Sequence, residues 1–171
     1  MNSKKEIQKT VVAGALGECV HVAGLYNFLQ LAKQAGWHTI FLGPAVSTEK
    51  IIKTAEKENA DLVAVSYRLT AETGERLLAE FAESADHLRS KGVLFAFGGT
   101  PPVAERARNL GFFQAVFDGT QTHEEILNFL KGKSVLAKGE LNYPRTTIER
   151  IKWKAPYPLL RHHFGLPTMQ A

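Results

Sequence analysis

Four short stretches of this 171-residue chain carry residue types suited to binding chemistry, and each follows an apolar run. The first is GECVHVAG, residues 17–24, which places His21 just after TVVAGAL. The others are SYRLT from Ser66, GGTPP from Gly98 and DGTQT from Asp118. His21 has no hydroxyl or second histidine in its own loop, only Glu18 and Cys19 as polar neighbours. A lone imidazole still serves as an axial ligand to a metal already held in a macrocycle, because the macrocycle fills the other positions. Ser66 ends its apolar run with a hydroxyl that can give or take a hydrogen bond. Gly98 and Gly99 remove two side chains at a strand end, which lets something flat or bulky approach the backbone. Phosphate-binding signals are missing. There is no G-x-G-x-x-G after the first run and no Walker lysine, which disfavours dinucleotides and nucleoside triphosphates.

The elements that must position these residues alternate strictly. The apolar runs predict strands over 10–16, 38–43, 61–67, 93–99 and 113–118, and amphipathic patterns predict helices over 23–35, 47–60, 71–92, 101–111 and 122–132. Ser47 or Thr48 opens the second helix. Gly92 stops the third, and the fourth starts at a proline and ends at Gly111. Near-continuous apolar strands are those of a parallel sheet buried on both faces. The fold class is therefore α/β: a Rossmann-like or flavodoxin-like, doubly wound, five-stranded parallel sheet with helices on both faces. In such sheets ligands lie across the carboxyl ends of the strands, where the four stretches converge.

Bulk properties narrow the function. One cysteine excludes an intramolecular disulfide framework and suits the cytoplasm. No apolar run approaches a membrane span, and MNSKKEIQK is no signal peptide. The formal charge of +4 does not point to nucleic acid, because residues 1–130 carry 13 Lys and Arg against 15 Asp and Glu. The basic excess belongs to the remainder. Residues 1–132 form the α/β domain. Residues 133–171, with Pro144, Pro156, Pro158 and Pro167, read as an irregular basic arm or linker. Adjacent His162 and His163 point in different directions and lack further ligands nearby, so they make a poor metal pair.

C-V-H-V-A-G at 19–24, S-Y-R-L at 66–69 and G-G at 98–99 together resemble the cobalamin-binding domain of B12-dependent mutases and methyltransferases. That family carries Asp-x-His-x-x-Gly after its first strand, Ser-x-Leu after its third and Gly-Gly after its fourth. The resemblance spans about residues 8–132. It implies that His21 replaces the cofactor's own dimethylbenzimidazole as lower axial ligand of cobalt. It also implies a slot for the displaced nucleotide tail between the sheet and the first helix. There Gly24 would open the slot, Ser66 would hydrogen-bond near the benzimidazole, and Gly98 and Gly99 would flank the tail. FDGT at 117–120, that is Phe117, Asp118, Gly119 and Thr120, would close the far side. The rest of the implied cofactor-binding set is the loop neighbours Glu18, Cys19, Val20, Val22, Tyr67, Arg68, Leu69, Thr100 and Pro101, and no catalytic residue is implied. Two positions depart from the pattern. Cys19 stands where the family has aspartate, a carboxylate that orients and tunes the imidazole. Arg68 stands where leucine is common, with Leu69 one place later; Arg68 would reach a corrin amide or the nucleotide phosphate.

A cobalamin domain alone does not catalyse; the hard chemistry is the cofactor's and the substrate site a partner's. The resemblance favours the small subunit or domain of an adenosylcobalamin-dependent mutase, inactive alone, with a barrel-type catalytic partner over the corrin. Methyl carriers usually place a helical bundle ahead of the domain, and the first strand here begins near residue 10. A corrinoid methyl carrier using methylcobalamin, or a non-catalytic cobalamin carrier or sensor, remain the alternatives. A receiver-like domain is disfavoured, since the first strand ends beside Glu18 alone and not an acidic cluster.

Overall fold

Strands whose residues are apolar on both sides need cover on both sides, and this chain supplies it. The computed structural model describes residues 8–133. Its strands are β1 (Thr10–Ala15), β2 (His38–Phe41), β3 (Leu62–Tyr67), β4 (Leu94–Gly99) and β5 (Ala115–Phe117). Its helices are α1 (Ala23–Gln34), α2 (Thr48–Lys57), α3 (Ala71–Ser90), α4 (Pro101–Leu110) and α5 (His123–Leu130). The strands form one parallel sheet in the order β2-β1-β3-β4-β5. α1 packs with α5 on one face, while α2, α3 and α4 pack in sequence on the other. Every residue of β3, the middle strand, is buried. The chain reverses its direction of travel across the sheet between β1 and β3, which opens a crevice at their carboxyl ends.

The expected elements are all present, and local chemistry sets their ends. Ser47 Oγ accepts from Lys50 N at 3.3 Å and caps α2. Thr122 and Glu125 form a reciprocal capping box on α5. Gly111 ends α4 in the left-handed region at φ 69°. β2 stops at Phe41, two residues short of the expected end, because the chain turns at Gly43 (φ 91°) and Pro44. β5 begins at Ala115 and not at 113. Phe112 and Phe113 are fully committed to an aromatic cluster with Phe81, Phe95 and Phe97, with Phe95 and Phe112 centroids 4.8 Å apart. Gln114 bridges the gap: its side-chain oxygen accepts from Phe95 N at 2.6 Å and its own N–H donates to Phe95 O at 2.9 Å. The expected arm at 133–171 lies, beyond Lys133, outside the described residues, as do His162 and His163.

Candidate functional site

A cavity of about 240 Å³ lies between α1 and the carboxyl half of the sheet. Its floor exists because facing strands carry small residues in register. Ala64 pairs with Ala96 and Ser66 with Gly98, a strip of four positions with almost no side chain on one face. Its roof is one stripe of α1, where Gly24, Asn27, Phe28 and Leu31 recur at helical spacing. Phe28 meets Phe117 of β5 with centroids 5.5 Å apart and closes the inner end. Ile126 and His123 of α5 complete the wall.

His21 stands at the mouth, exposed, on a loop pinned by backbone hydrogen bonds. Leu16 N donates to Ser66 O at 2.8 Å, Gly17 N to Val46 O at 2.9 Å and Ala45 N to Cys19 O at 2.9 Å. Gly17 turns the chain at φ 63° and a side chain there would press on Leu77 at 3.0 Å. Cys19 is fully buried, and its Sγ lies 3.9 Å from His21 Nδ1. The thiol thus faces one ring nitrogen.

Ser66 is the most telling polar group. It is 5% exposed, lines the cavity, and its Oγ has no hydrogen-bond partner. An unpartnered buried hydroxyl costs roughly 1–3 kcal/mol. Such a cost is recovered when a guest in the cavity supplies the partner. The two glycines of β4 differ in role. A side chain on Gly98 would meet nothing within 4 Å. One on Gly99 would meet the Phe97 ring at 2.7 and 2.9 Å and Tyr67 O at 2.9 Å. Gly98 therefore leaves room for a guest, and Gly99 leaves room for the protein's own sheet. Gly24 also has nothing within 4 Å.

Asp118 closes the far side. Its carboxylate accepts from Arg108 Nη2 and, at 2.6 Å, from Thr120 Oγ1; Gln121 Nε2 also donates to it at 3.2 Å. The Thr120 and Arg108 donors hold its carboxyl well below the usual carboxylate range. Asp118 is thereby fixed as an anion with its charge already answered.

The structure brings together at the cavity His21, Gly24, Ser66, Arg68, Gly98, Gly99, Asp118 and Gly119. Others of the expected set lie beside it. Glu18, Val20 and Leu69 are exposed rim residues, Val22 is the N-cap of α1, and Thr120 belongs to the Asp118 network. Thr100 and Pro101 form the start of α4. Tyr67 is buried on the opposite face, where a side chain on Gly74 would meet both it and Val103 at about 3 Å. Phe117, expected on the far side, and Gln121, from the DGTQT stretch, also line the cavity, whereas Asn27, Phe28, Leu31, His123 and Ile126 line it without having been singled out from the sequence. The spacing of Gly24, Phe28 and Leu31 was the available signal. Among the described residues no group of three or more His, Cys, Asp and Glu is placed to hold a metal ion, and no helix is long and apolar enough to cross a membrane.

Residues 9–127 match the family model described as a B12 binding domain. The chain is 29% identical over 132 residues to glutamate mutase sigma subunit 1 of Haloarcula marismortui, covering 74% of this chain and 87% of that one. Among solved structures it is similar to the methanol:cobalamin methyltransferase complex of Methanosarcina barkeri, with a TM-score of 0.57 and 18% identity over 75% of this chain. A monomethylamine corrinoid protein of the same organism gives a TM-score of 0.57 at 17% identity over 73%. A cobalamin-binding protein of Desulfitobacterium hafniense gives 0.51 at 18% over 58%. The chain spans only 48%, 58% and 50% of those three chains, and at such identity the likeness is one of fold.

Proposed function

The chain belongs to the B12-binding domain family, and on that premise we propose that it holds cobalamin with His21 as the lower axial cobalt ligand and presents it to a partner catalytic protein. The observation that carries the reading is the buried, unpartnered Ser66 Oγ in a cavity whose floor Gly98 leaves open. The residues fit the group. The cavity behind His21 takes the nucleotide tail, Ser66 gives its hydroxyl to that tail, and Phe28, Leu31 and Phe117 pack on its apolar parts. When bound, the corrin supplies cobalt–carbon bond chemistry.

The chain's own task is to bind and orient. An imidazole binds a metal through a nitrogen with a free lone pair. With Nδ1 donating its proton toward Cys19 Sγ, His21 keeps the Nε2 lone pair free for cobalt. A thiol is a weaker acceptor than the carboxylate common in the family, so His21 is held by a softer restraint. Val20, next to His21 in the chain, and Leu69, next to Arg68, are 63% and 42% exposed and offer apolar surface for the underside of a macrocycle.

The likeness to a glutamate mutase subunit, which covers most of both chains, favours adenosylcobalamin and a mutase partner of the barrel type, with the chain inactive alone. The methyltransferase corrinoid proteins favour the second reading, a methyl carrier using methylcobalamin; it rests on fold alone. Mixing the protein with hydroxo-, adenosyl- or methylcobalamin, desalting, and recording the visible spectrum tests binding. Retained corrin absorption with the shift of a displaced benzimidazole is the expected result, and colour lost from all three overturns the proposal. In the Co(II) form, electron paramagnetic resonance should show splitting from a protein nitrogen that disappears in His21→Ala. Splitting that survives the substitution assigns the ligand elsewhere.

A further inference from the structure

The β2 edge of the sheet carries no charged or proline guard against pairing with another chain. Among the described residues β2 pairs with β1 alone, so its other side is open. His38 N donates to Lys9 O and Leu42 N to Ala13 O, at 2.8 Å each, so the even-numbered residues turn their backbone groups toward β1. Alternation then turns the N–H and C=O of Thr39 and Phe41 outward. Edge strands are ordinarily blunted by lysine, proline or an inward-pointing charge. HTIF holds none of these. The opposite edge, β5, is three residues long and is followed directly by Asp118, paired with Arg108. Side chains at the β2 edge are open too. Phe41 registers with Ala13, and Ala13 with Ala64, which lines the cavity under α1, so Phe41 and Thr39 lie on the α1 face. On that face Phe41 is 42% exposed and Tyr26 of α1 is 55% exposed. The flank they belong to is almost uncharged. Between Glu18 and Glu49 the chain has no acidic residue and, besides His21 and His38, one basic residue, Lys33.

We infer that β2 pairs with β2 of a second copy of this chain, antiparallel and two-fold symmetric about Ile40, so that two five-stranded sheets join into one. The symmetry follows from the outward groups. Thr39 and Phe41 stand one residue either side of Ile40. In the symmetric register Thr39 of each copy exchanges both backbone hydrogen bonds with Phe41 of the other, and no outward group of either residue is left over. Phe41 then packs beside Thr39 of the second copy on the α1 face, with the Tyr26 flanks of the two α1 helices on either side of the seam. Aromatic side chains in a patch depleted of charge have the composition of an interface core. A two-fold interface also sets a patch against itself, which a charged patch resists and a neutral one does not. An unrelated partner would need neither that neutrality nor a register centred on one residue. The axis runs perpendicular to the sheet, so the carboxyl ends of the two halves point in opposite directions. Each cavity lies on the other flank of α1, toward β5, and stays open.

Sedimentation velocity and light scattering on the full chain, over a series from low to high micromolar, test the pairing. The expected result is a concentration-dependent shift from 18.9 kDa toward twice that mass. Two substitutions address the edge without touching the cavity. Thr39→Pro removes an outward donor and none of the bonds to β1. Phe41→Lys puts a charge on the edge. Each should weaken the dimer at least about ten-fold. Leu94→Lys, the same kind of change on a 37% exposed residue at the start of β4, should leave it within about two-fold. Ile40→Cys reads the register. The Cα atoms of a non-hydrogen-bonded antiparallel pair lie about 4.5 Å apart, within disulfide reach. With oxidised glutathione this variant should form a covalent dimer and Leu94→Cys should not. Native Cys19 is fully buried and does not compete. Circular dichroism confirms folding, and a variant that does not fold is replaced by Tyr26→Lys, on the helix and outside the sheet, with the same expected loss. A wild type that stays at 18.9 kDa throughout overturns the inference and leaves the edge to another protein or to residues 134–171. A dimer that survives Phe41→Lys and Thr39→Pro, or that Ile40→Cys does not lock, is held by another face and overturns it as well.

Discussion

Replacing Gly98 by valine and, separately, Gly99 by alanine separates the site from the fold. At Gly98 an added Cβ enters open space, since nothing lies within 4 Å of its position, and the γ carbons of valine extend from there. Glycine in a strand costs backbone entropy and packs nothing, so valine there should stabilise the empty protein by about 0.5–1 kcal/mol. For a domain of this size that raises Tm by about 2–4 °C. The same carbons occupy the floor strip beside Ser66 and Ala96, where the tail is proposed to lie. Gly99→Ala does the reverse. Its Cβ would sit 2.7 Å from Phe97 Cε1 and 2.9 Å from Tyr67 O. Phe97 is fully buried against Phe113, with centroids 5.5 Å apart, and has no room to yield. The overpacking should cost about 1–3 kcal/mol. Urea unfolding measures the stabilities, and corrin retained after desalting measures binding. Gly98→Val should be at least as stable as wild type and bind no cobalamin, whereas Gly99→Ala should be less stable yet bind what remains folded. Wild-type affinity in Gly98→Val would show that the cavity is not the seat of the tail.

Three other perturbations probe the surroundings. Cys19→Asp gives His21 a stronger acceptor and should tighten cobalamin binding by about 10–100-fold, as measured by titration, while destabilising the empty protein because position 19 is fully buried. Asp118→Asn should cost about 1–2 kcal/mol at neutral pH. Because the folded-state pKa of Asp118 is depressed, its contribution is fully present above the ordinary carboxylate value of about 4 and is lost as pH falls further. The gap between wild type and variant in thermal unfolding should therefore be constant near neutrality and shrink only below about pH 4. Trp37→Phe removes the 3.1 Å hydrogen bond from the indole N–H to Leu130 O at the end of α5. It should lower stability by about 1 kcal/mol and speed amide exchange in α5.

The pair of buried Glu75 and half-buried Arg106 runs against the Asp118 case. Glu75 is 4% exposed, its Oε2 accepts from Arg106 at 2.7 Å, and its Oε1 has no partner. Burial outweighs the arginine and raises the carboxyl above its usual value. A raised carboxyl favours the folded state as pH falls through the window just above the unfolded value, the opposite sign to Asp118. Two carboxylates with arginine partners thus contribute oppositely to acid stability, because one carries a shell of polar donors and the other is desolvated by burial beyond what its arginine offsets.

How much was legible depended on whether the determinant was local. Strands, helices and caps follow from hydropathy period and short-range signals such as Ser47, Gly111 and the Thr122–Glu125 box, which act within a turn or two of chain. The motif order His21, Ser66, Gly98–Gly99 also lies on the sequence, and with strict β–α alternation it placed those residues at one end of one sheet. What no local rule supplies is which face each residue takes and what meets it there. Strand register decides that Ser66 and Gly98 share a face while Tyr67 and Gly99 share the other, so two adjacent glycines have different jobs. The roof of the cavity, Asn27, Phe28 and Leu31 with His123 and Ile126, comes from α1 and α5 meeting across about a hundred residues of chain. The same is true of charge. Asp118 and Arg108 look like two free ions in the sequence, and only their contact shows that the one carboxylate lining the cavity is already answered. Sequence by itself determined the fold and the identity of the metal-facing histidine candidate, because both are written in neighbouring residues. Tertiary structure alone decided the shape and the charge of the space behind it, because both are sums over elements that are distant in the chain and adjacent only when packed.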